Sequence, residues 1–242
     1  MLLETKNLYK SFGELVVVDH LNFDVKQGEI VGIAGPNGAG KSTLFNVITG
    51  FYPATGEVIF NNENILGLKP HQVCHRGIAR TFQITQTFDT LPVHTNIEVG
   101  AHFGKKGEND EGQTIKEIIS FLGLDGKEDT ITSNLNYLEK KLTMLGVALA
   151  TRPRLLLLDE PASGQSPTET LEFMESIKRI NRELGITIVI IEHIMKVLIG
   201  LCNRLMIMEN GQQIAIGPPQ EVAKDPRVVK IYLGGSANAG ST

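Results

Sequence analysis

Short apolar runs alternate with helical patterns along the chain, and this alternation predicts an α/β fold. Three runs, Ile30–Ala34, Leu155–Leu158 and Ile186–Ile191, are apolar at nearly every position. The run Leu155–Leu158 is apolar at every residue, which is typical of a parallel strand that is buried on both faces. The helices predicted after these strands are Lys41–Thr49, Pro167–Leu184 and His193–Gly200. A parallel central sheet with flanking helices follows from this order.

The two ends of the chain carry further β patterns, whereas the middle is mostly helical. The additional predicted strands are Leu2–Leu8, Leu15–Val18, Leu21–Val25, Val58–Phe60, Ile78–Phe82, Arg204–Met208 and Gln212–Ile216. Helical periodicity runs from about Pro92 to Leu149, with a polar linker at Gly104–Gly112. We therefore expect an antiparallel β subdomain and an inserted helical subdomain, at about residues 85–141, beside the α/β core.

A glycine-rich loop follows the first of these apolar strands and opens a helix. Residues 35–42 fit the pattern G-x-x-x-x-G-K-[ST] at every fixed position. In such a loop, glycines let backbone N–H groups surround phosphates, and the positive end of the helix faces them. The lysine adds charge to the β- and γ-phosphates, and the hydroxyl can bind Mg²⁺. The residues predicted to bind the nucleotide are Gly35, Pro36, Asn37, Gly38, Ala39, Gly40, Lys41, Ser42 and Thr43.

Two adjacent carboxylates, Asp159 and Glu160, follow the buried run Leu155–Leu158. The strand would deliver them to the carboxyl edge of the sheet, where ligands of α/β folds bind. A strand that simply ends in solvated acids would give the same pattern, but the phosphate-binding loop upstream favours a functional pair. Asp159 is then predicted to hold Mg²⁺ through water, and Glu160 to polarise the attacking water as a general base.

Composition limits the classes of function that this chain can have. Its 242 residues suit one domain, which we place at residues 1–234, followed by a flexible tail at residues 235–242. The formal charge of −4 disfavours a nucleic-acid surface, which would be basic. Two cysteines cannot form a disulfide framework, and Glu192, His193 and Lys196 interrupt the most apolar stretch. We therefore expect a cytoplasmic protein that reaches a membrane only through another protein.

The phosphate-binding loop, the segment Leu155–Pro161, Gln83 and His193 together resemble the ATP-binding cassette (ABC) family over Leu2–Gly234. The resemblance implies a P-loop NTPase core, with ATP and Mg²⁺ as cofactors. Three segments resemble, within that family, the ATP-binding subunits of branched-chain amino-acid importers: Gly77–Gln83, Ile191–His193 and Ile231–Gly234. Such a subunit dimerises head to tail with a second ATPase subunit and moves transmembrane permease subunits. It lies peripherally on the inner face of the cell membrane.

The resemblance also assigns roles to single residues. Phe12 matches an aromatic residue that stacks on adenine, although a turn residue packed on the sheet would look the same. Gln83 matches a residue that touches Mg²⁺ or the water and relays nucleotide state to the membrane partner. His193 matches a residue that contacts the γ-phosphate; a lone histidine is more often a satisfied buried group, but the position directly after the run Ile186–Ile191 favours the functional role. The implied catalytic set is Glu160, Gln83 and His193, and the implied Mg²⁺ set is Ser42, Gln83 and Asp159.

One segment departs from the family pattern. The family's signature loop reads Leu-Ser-Gly-Gly-Gln and binds the γ-phosphate held by the opposite subunit, whereas the matching residues here are Leu135, Asn136, Tyr137, Leu138 and Glu139. Asn136 can still cap the following helix. Leu138 places a side chain where backbone should approach phosphate, and Glu139 adds a charge that would repel by about 4 kcal/mol at about 4 Å. Ser166 also replaces a common aspartate before Pro167. These departures suggest the hypothesis of an asymmetric heterodimer, while the sequence leaves open whether the second ATPase subunit is another copy of this chain.

Other functions stay open at this point. The ATPase of a lipid or lipopolysaccharide exporter would share this layout, and a non-catalytic regulatory clamp would explain the degenerate signature. The segment Arg80–Gln83 favours the importer by resemblance, and Glu160 argues against a clamp. The acidic balance disfavours a DNA-associated ABC ATPase. His71, Cys74 and His75 have helical spacing that a metal could use, but a fourth ligand is missing, so we expect no metal site there.

Overall fold

The computed structural model describes residues 1–104 and 111–234. Most of the predicted polar linker at residues 104–112 and the whole predicted tail at residues 235–242 lie outside the described residues. The chain contains two compact units, namely Met1–Pro70 with Thr187–Thr242, and His71–Ile186. The limits of the inserted helical subdomain stay a prediction.

Strands and helices alternate along the chain, as the apolar pattern predicts. The strands are β1 (Leu3–Phe12), β2 (Leu15–Val25), β3 (Ile30–Ala34), β4 (Thr55–Phe60), β5 (Glu63–Asn64), β6 (Ile78–Arg80), β7 (Leu155–Asp159), β8 (Thr187–Ile191), β9 (Arg204–Glu209) and β10 (Gln212–Gly217). The helices are α1 (Lys41–Ile48), α2 (Pro70–Arg76), α3 (Val93–Phe103), α4 (Glu111–Phe121), α5 (Tyr137–Ala150), α6 (Pro167–Leu184), α7 (Met195–Leu201), α8 (Pro219–Val222) and α9 (Pro226–Gly234). A 3₁₀ turn at Thr132–Asn134 precedes α5.

The first unit contains an antiparallel sheet with the strand order β2-β1-β4-β5. β2 is one continuous strand, so the prediction of separate strands at Leu15–Val18 and Leu21–Val25 is wrong. His20 has a left-handed φ of 49° within this strand, and the pairing with β1 shifts register at the same place. A bulge of this kind bends a strand without ending it, so the sequence suggests a break where the strand continues.

The first unit also holds the strand that leads into the phosphate-binding loop. β3 is parallel to both β8 and β9, and β10 is antiparallel to β9. Every residue of β3 and β8 is buried, as is typical of parallel strands covered on both faces. α7 begins at Met195 rather than at His193, because Ile194 keeps an extended conformation and serves as the N-cap.

The second unit combines the parallel pair of β6 and β7 with several helices. α6 spans Pro167–Leu184 as predicted, because Ser166 and Glu169 form a capping box and proline occupies the first turn. α3, α4 and α5 confirm the helical character of the middle of the chain. β6 ends at Arg80, two residues before its predicted end. Within residues 1–104 and 111–234, no helix is long and apolar enough to cross a membrane.

Candidate nucleotide-binding site

The loop between β3 and α1 gathers the predicted phosphate-binding residues in the first unit. Gly40 is the N-cap of α1, and its φ of 98° lies in the left-handed region. A Cβ on Gly40 would lie 2.2 Å from the carbonyl oxygen of Val17, so the loop passes too close to β2 for a larger residue. Because glycine has no side chain to cap the helix, the first N–H groups of α1 can face an anion.

Lys41 is buried, and its Nζ lies within the loop. It donates to the carbonyl oxygens of Gly35 and Pro36, each at 2.8 Å. Ser42 is exposed and Thr43 is half-buried in the first turn of α1. Backbone donors, a helix N-terminus and a buried ammonium form a donor set that fits an anionic polyphosphate.

The C-terminal helix of the first unit also reaches this loop. Burial raises the pKa of the Tyr232 phenol in α9, and the backbone of Gly35 opposes that shift. In the sequence, Tyr232 stands out only as part of a segment that resembles one branch of a family. Its position beside the start of the loop comes from the structure alone.

Phe12 ends β1 and is partly exposed. Its ring meets the ring of Tyr52 edge-on, with centroids 5.3 Å apart, and Lys10 Nζ lies 4.5 Å from the Phe12 centroid. An exposed aromatic face of this kind can stack on a base. The sequence did not single out Tyr52, because its neighbour Phe51 is equally aromatic and nothing local distinguishes the two.

His193 follows β8 and exposes more than half of its side chain. Its backbone N–H donates to Glu192 Oε2 at 3.2 Å, and its Nδ1 lies 3.8 Å from the same oxygen. Glu192 is fully buried, so this carboxylate anchors the end of β8 while the imidazole stays accessible. The alternative of a buried structural histidine is therefore wrong.

Gln83 and Glu160, two of the predicted catalytic residues, meet in the second unit. Gln83 Nε2 donates to Glu160 Oε2 at 2.8 Å. Glu160 has a φ of 46°, a left-handed conformation that costs free energy for a residue other than glycine. Such local strain is common at functional sites, and here it turns the chain sharply after β7.

Asp159 ends β7, and its carboxylate is held by a residue that the sequence did not assign. Arg80 Nη2 donates to Asp159 Oδ2 at 2.8 Å, and each side chain is only 7% exposed. The guanidinium also lies over the Phe82 ring, 4.9 Å from its centroid. The sequence signal for this pair was the position of Asp159 at the end of an apolar strand. Arg80 could be identified as its partner only from the parallel pairing of β6 and β7.

Asn136 is the N-cap of α5, as predicted. Its side chain accepts from the Glu139 backbone N–H at 2.8 Å, and Glu139 Oε2 accepts from the Asn136 backbone N–H at 3.0 Å. Glu139 Oε1 lies 3.3 Å from Lys127 Nζ. The Glu139 carboxylate therefore has its own hydrogen bond and its own cation, which reduces the repulsion that the sequence suggests.

Leu138 is 9% exposed, and Leu135 is also buried. The expectation that the Leu138 side chain occupies the surface offered to a partner is therefore wrong. The helix turns this side chain inward because apolar residues along α5 bury the same face. Tyr137, between these two leucines, is partly exposed.

The histidines of α2 have contacts other than with each other's ring nitrogens. His75 Nε2 lies 3.1 Å from the carbonyl oxygen of Phe103, and the His71 and His75 rings meet edge-on with centroids 6.3 Å apart. Across residues 1–104 and 111–234, no group of three or more His, Cys, Asp or Glu side chains could hold a metal ion.

The order of these features along the chain defines a class of protein. A family model described as "ABC transporter" matches residues 18–163, which include the phosphate-binding loop and Glu160. The chain therefore belongs to the ABC transporter family, and it is a nucleotide-binding ATPase with a P-loop fold. A second model, described as "Branched-chain amino acid ATP-binding cassette transporter", matches residues 212–238. These matches confirm the fold class and the resemblance seen in the sequence.

Particular relatives narrow this class. The chain is 32% identical to the high-affinity branched-chain amino acid transport ATP-binding protein LivG of Escherichia coli K12 over 249 residues, 96% of this chain and 98% of LivG. It is 36% identical to a probable LivG of Methanocaldococcus jannaschii over 251 residues, with 96% and 97% coverage. The crystal structure of the ADP conformation of MJ1267, an ATP-binding cassette of an ABC transporter, matches with a TM-score of 0.88 at 34% identity, covering 96% and 98% of the two chains. These relatives favour the importer interpretation over the exporter.

Proposed function

We propose that this chain hydrolyses ATP to drive the import of branched-chain or other amino acids through partner membrane subunits. The match of residues 212–238 to a family model of branched-chain amino acid ATP-binding cassette transporters is the main support for this class of substrate. The names of the LivG relatives support the same class. In this proposal, the binding and membrane subunits select the amino acid and this chain supplies the energy.

The loop at residues 35–43 is the proposed binding site for the phosphates of ATP. Lys41 would supply charge to the β- and γ-phosphates, and the Phe12 ring would stack on adenine. Ser42, Asp159 and Gln83 offer hydroxyl, carboxylate and amide oxygens, which are the ligands that Mg²⁺ prefers. Bound Mg²⁺ supplies positive charge that neutralises the phosphates of the substrate.

Glu160 is the proposed general base for hydrolysis. Its carboxylate accepts from Gln83 Nε2 at 2.8 Å, a contact that orients the carboxylate before water attacks the γ-phosphate. A carboxylate fixed in this way can take a proton from the attacking water. The accessible imidazole of His193 is proposed to contact the γ-phosphate, and Gln83 to relay nucleotide state to the membrane partner.

A groove in the second unit is the proposed contact surface for the permease. Its volume is about 520 Å³, and its lining includes Gln83, Ile84 and Tyr137. Ile84 is 77% exposed and Phe88 is also exposed. Exposed apolar side chains around a groove are typical of a surface that binds another protein. Through this contact the chain would lie on the cytoplasmic, inner face of the cell membrane.

The proposed partner in hydrolysis is a second, different ATPase subunit. The segment 135–139 keeps the helix cap of a signature loop but lacks its two adjacent glycines. In a head-to-tail pair, ATP bound to this chain would meet the partner's signature loop, whereas ATP bound to the partner would meet this degenerate one. Such a heterodimer would have one stronger and one weaker hydrolytic site.

Mixing this chain with the ATPase subunit encoded beside it is expected to raise ATPase activity about tenfold or more. A donor that acts on developing charge in the transition state is worth at least that factor. The measurement is steady-state phosphate release for each chain alone and for the mixture. Lys41→Ala in this chain is the control, and it should abolish the increase. An equally active isolated chain would instead indicate a homodimer, and an inactive mixture with tightly bound ATP would indicate a clamp.

Removal of this chain from its host is expected to reduce uptake of radiolabelled leucine, isoleucine and valine to the level of cells that lack the permease. Uptake requires ATP hydrolysis, so the wild-type chain should restore it and Lys41→Ala should not. The initial uptake rate at low external concentration is the quantity to measure. Unchanged uptake of all three amino acids would contradict the proposed substrate class and favour the alternative, the ATPase of an exporter.

A further inference from the structure

Lys141 in α5 is a buried lysine that donates two hydrogen bonds to one short loop. Its side chain is only 1% exposed. Nζ donates to the carbonyl oxygens of Pro161 at 2.6 Å and Ser163 at 2.7 Å. These two carbonyls belong to the loop that directly follows Glu160. A single ammonium therefore fixes two points of this loop to one helix.

Stability alone does not account for an ammonium at this position. Moving a charged group out of water is costly unless fixed acceptors replace its hydration. Even complete buried ion pairs can often be replaced by apolar residues of similar volume with little loss of stability, or with a gain. What an apolar side chain could not supply is the pair of directed hydrogen bonds to the loop carbonyls. The structure therefore favours a positional role for this lysine.

Tyr137 forms a second connection between the same helix and the same loop. Its hydroxyl donates to the Ser163 carbonyl oxygen at 3.0 Å, and its ring lies 5.0 Å from Lys141 Nζ. Tyr137 and Lys141 are four residues apart, so they share one face of α5. A Cβ on Gly164, where φ is 77°, would lie 2.9 Å from the tyrosine hydroxyl. This close approach shows that the loop is packed tightly against the first turns of the helix.

The loop held in this way begins at the proposed base. Ser163 N–H donates to the Glu160 carbonyl oxygen at 3.1 Å, which closes a turn over the residues that contact Lys141. We propose that Lys141 is a positioning residue for hydrolysis, which ties the loop carrying Glu160 to the helix that begins at the signature segment. This inference rests on the proposed role of Glu160. It makes the placement of the base depend on a helix whose N-terminus, at residues 135–139, is the proposed contact for the second ATPase subunit.

Lys141→Met tests the inference, because methionine keeps an unbranched chain of similar length but has no N–H donors. We expect kcat for ATP hydrolysis in the complex with the second ATPase subunit to fall about tenfold to hundredfold, since small displacements of a reacting group have effects of this size. The Kd for ATP, measured with a fluorescent ATP analogue, should stay within about twofold because the phosphate-binding loop is unchanged. Lys178→Met is the matched control. It removes the same charge from a half-buried lysine on α6, away from the proposed contact surfaces, and both constants should stay near wild type.

A fall in kcat without a change in Kd, in a variant that keeps the wild-type Tm, would support the positioning role. An unchanged kcat, or a loss of activity that follows the unfolded fraction, would overturn it. If Lys141→Met fails to fold, Lys141→Gln keeps a polar side chain that is too short to hold both loop carbonyls, and an unchanged kcat in that variant would also overturn the inference. Glu160→Gln separates the two proposals. Wild-type activity in Glu160→Gln would contradict the proposed base itself, whereas its inactivity beside a fully active Lys141→Met would contradict only the role of Lys141.

Discussion

Glu160→Gln is expected to lower kcat for ATP hydrolysis by a factor of about 10² to 10⁴, the usual contribution of a general base. The substitution preserves size and shape but removes the proton acceptor. Gln83 Nε2, now 2.8 Å from Glu160 Oε2, could still donate to the new amide oxygen, so the local structure should be kept. ATP affinity should change little because the phosphate-binding loop lies elsewhere in the chain. Single-turnover hydrolysis and equilibrium ATP binding measure the two effects separately.

Glu172→Gln provides the matched control for this substitution. Glu172 is an exposed carboxylate on α6, so its replacement removes the same charge without touching the proposed base. Its kcat should stay within about twofold of wild type, because substitutions of exposed residues away from a functional site usually have small effects. A wild-type chain with so little turnover that Glu160→Gln changes nothing would point to the regulatory clamp. A fully active Glu160→Gln variant of a working ATPase would remove Glu160 from the mechanism.

The parts of the site that the sequence predicted are those whose physics is local. The phosphate-binding loop needs only its glycines, its lysine and the strand and helix on either side, all within one short stretch of chain. The carboxylates Asp159 and Glu160 were identified because four leucines directly before them predict a buried strand. The limits of α6 followed from a serine cap and a proline in its first turn. Each of these signals is contained within about one turn or one strand.

The parts that the sequence missed depend on contacts between distant segments. Arg80 and Asp159 are 79 residues apart, and the parallel pairing of two strands brings them together. Lys141 donates to backbone carbonyl oxygens, which every residue has, so no residue type in the sequence marks its partners. Leu138 was misjudged for a related reason. Its burial is decided by what packs against α5, and a family pattern compares residue types without showing which way a side chain points.

Gly40→Ala is expected to lower Tm by about 5–15 °C in the absence of nucleotide. A left-handed φ costs a residue with a Cβ about 1–2 kcal/mol. The new methyl group would also lie 2.2 Å from the Val17 carbonyl oxygen, and forcing extra atoms into packed structure costs a further 1–3 kcal/mol, roughly. Thermal unfolding followed by circular dichroism measures the sum of the two effects.

Gly38→Ala separates the two contributions within the same loop. Gly38 also has a left-handed φ, of 79°, but a Cβ there would meet nothing within 4 Å. Only the conformational cost of about 1–2 kcal/mol then applies, so we expect a decrease in Tm of about 5 °C or less. Equal decreases for the two variants would mean that the close approach of β2 adds nothing at Gly40. A larger decrease for Gly40→Ala would show that the close approach of β2, as well as the backbone angle, requires glycine at the start of α1. Any side chain at this position would push the first N–H groups of the helix away from the phosphates that they are proposed to bind.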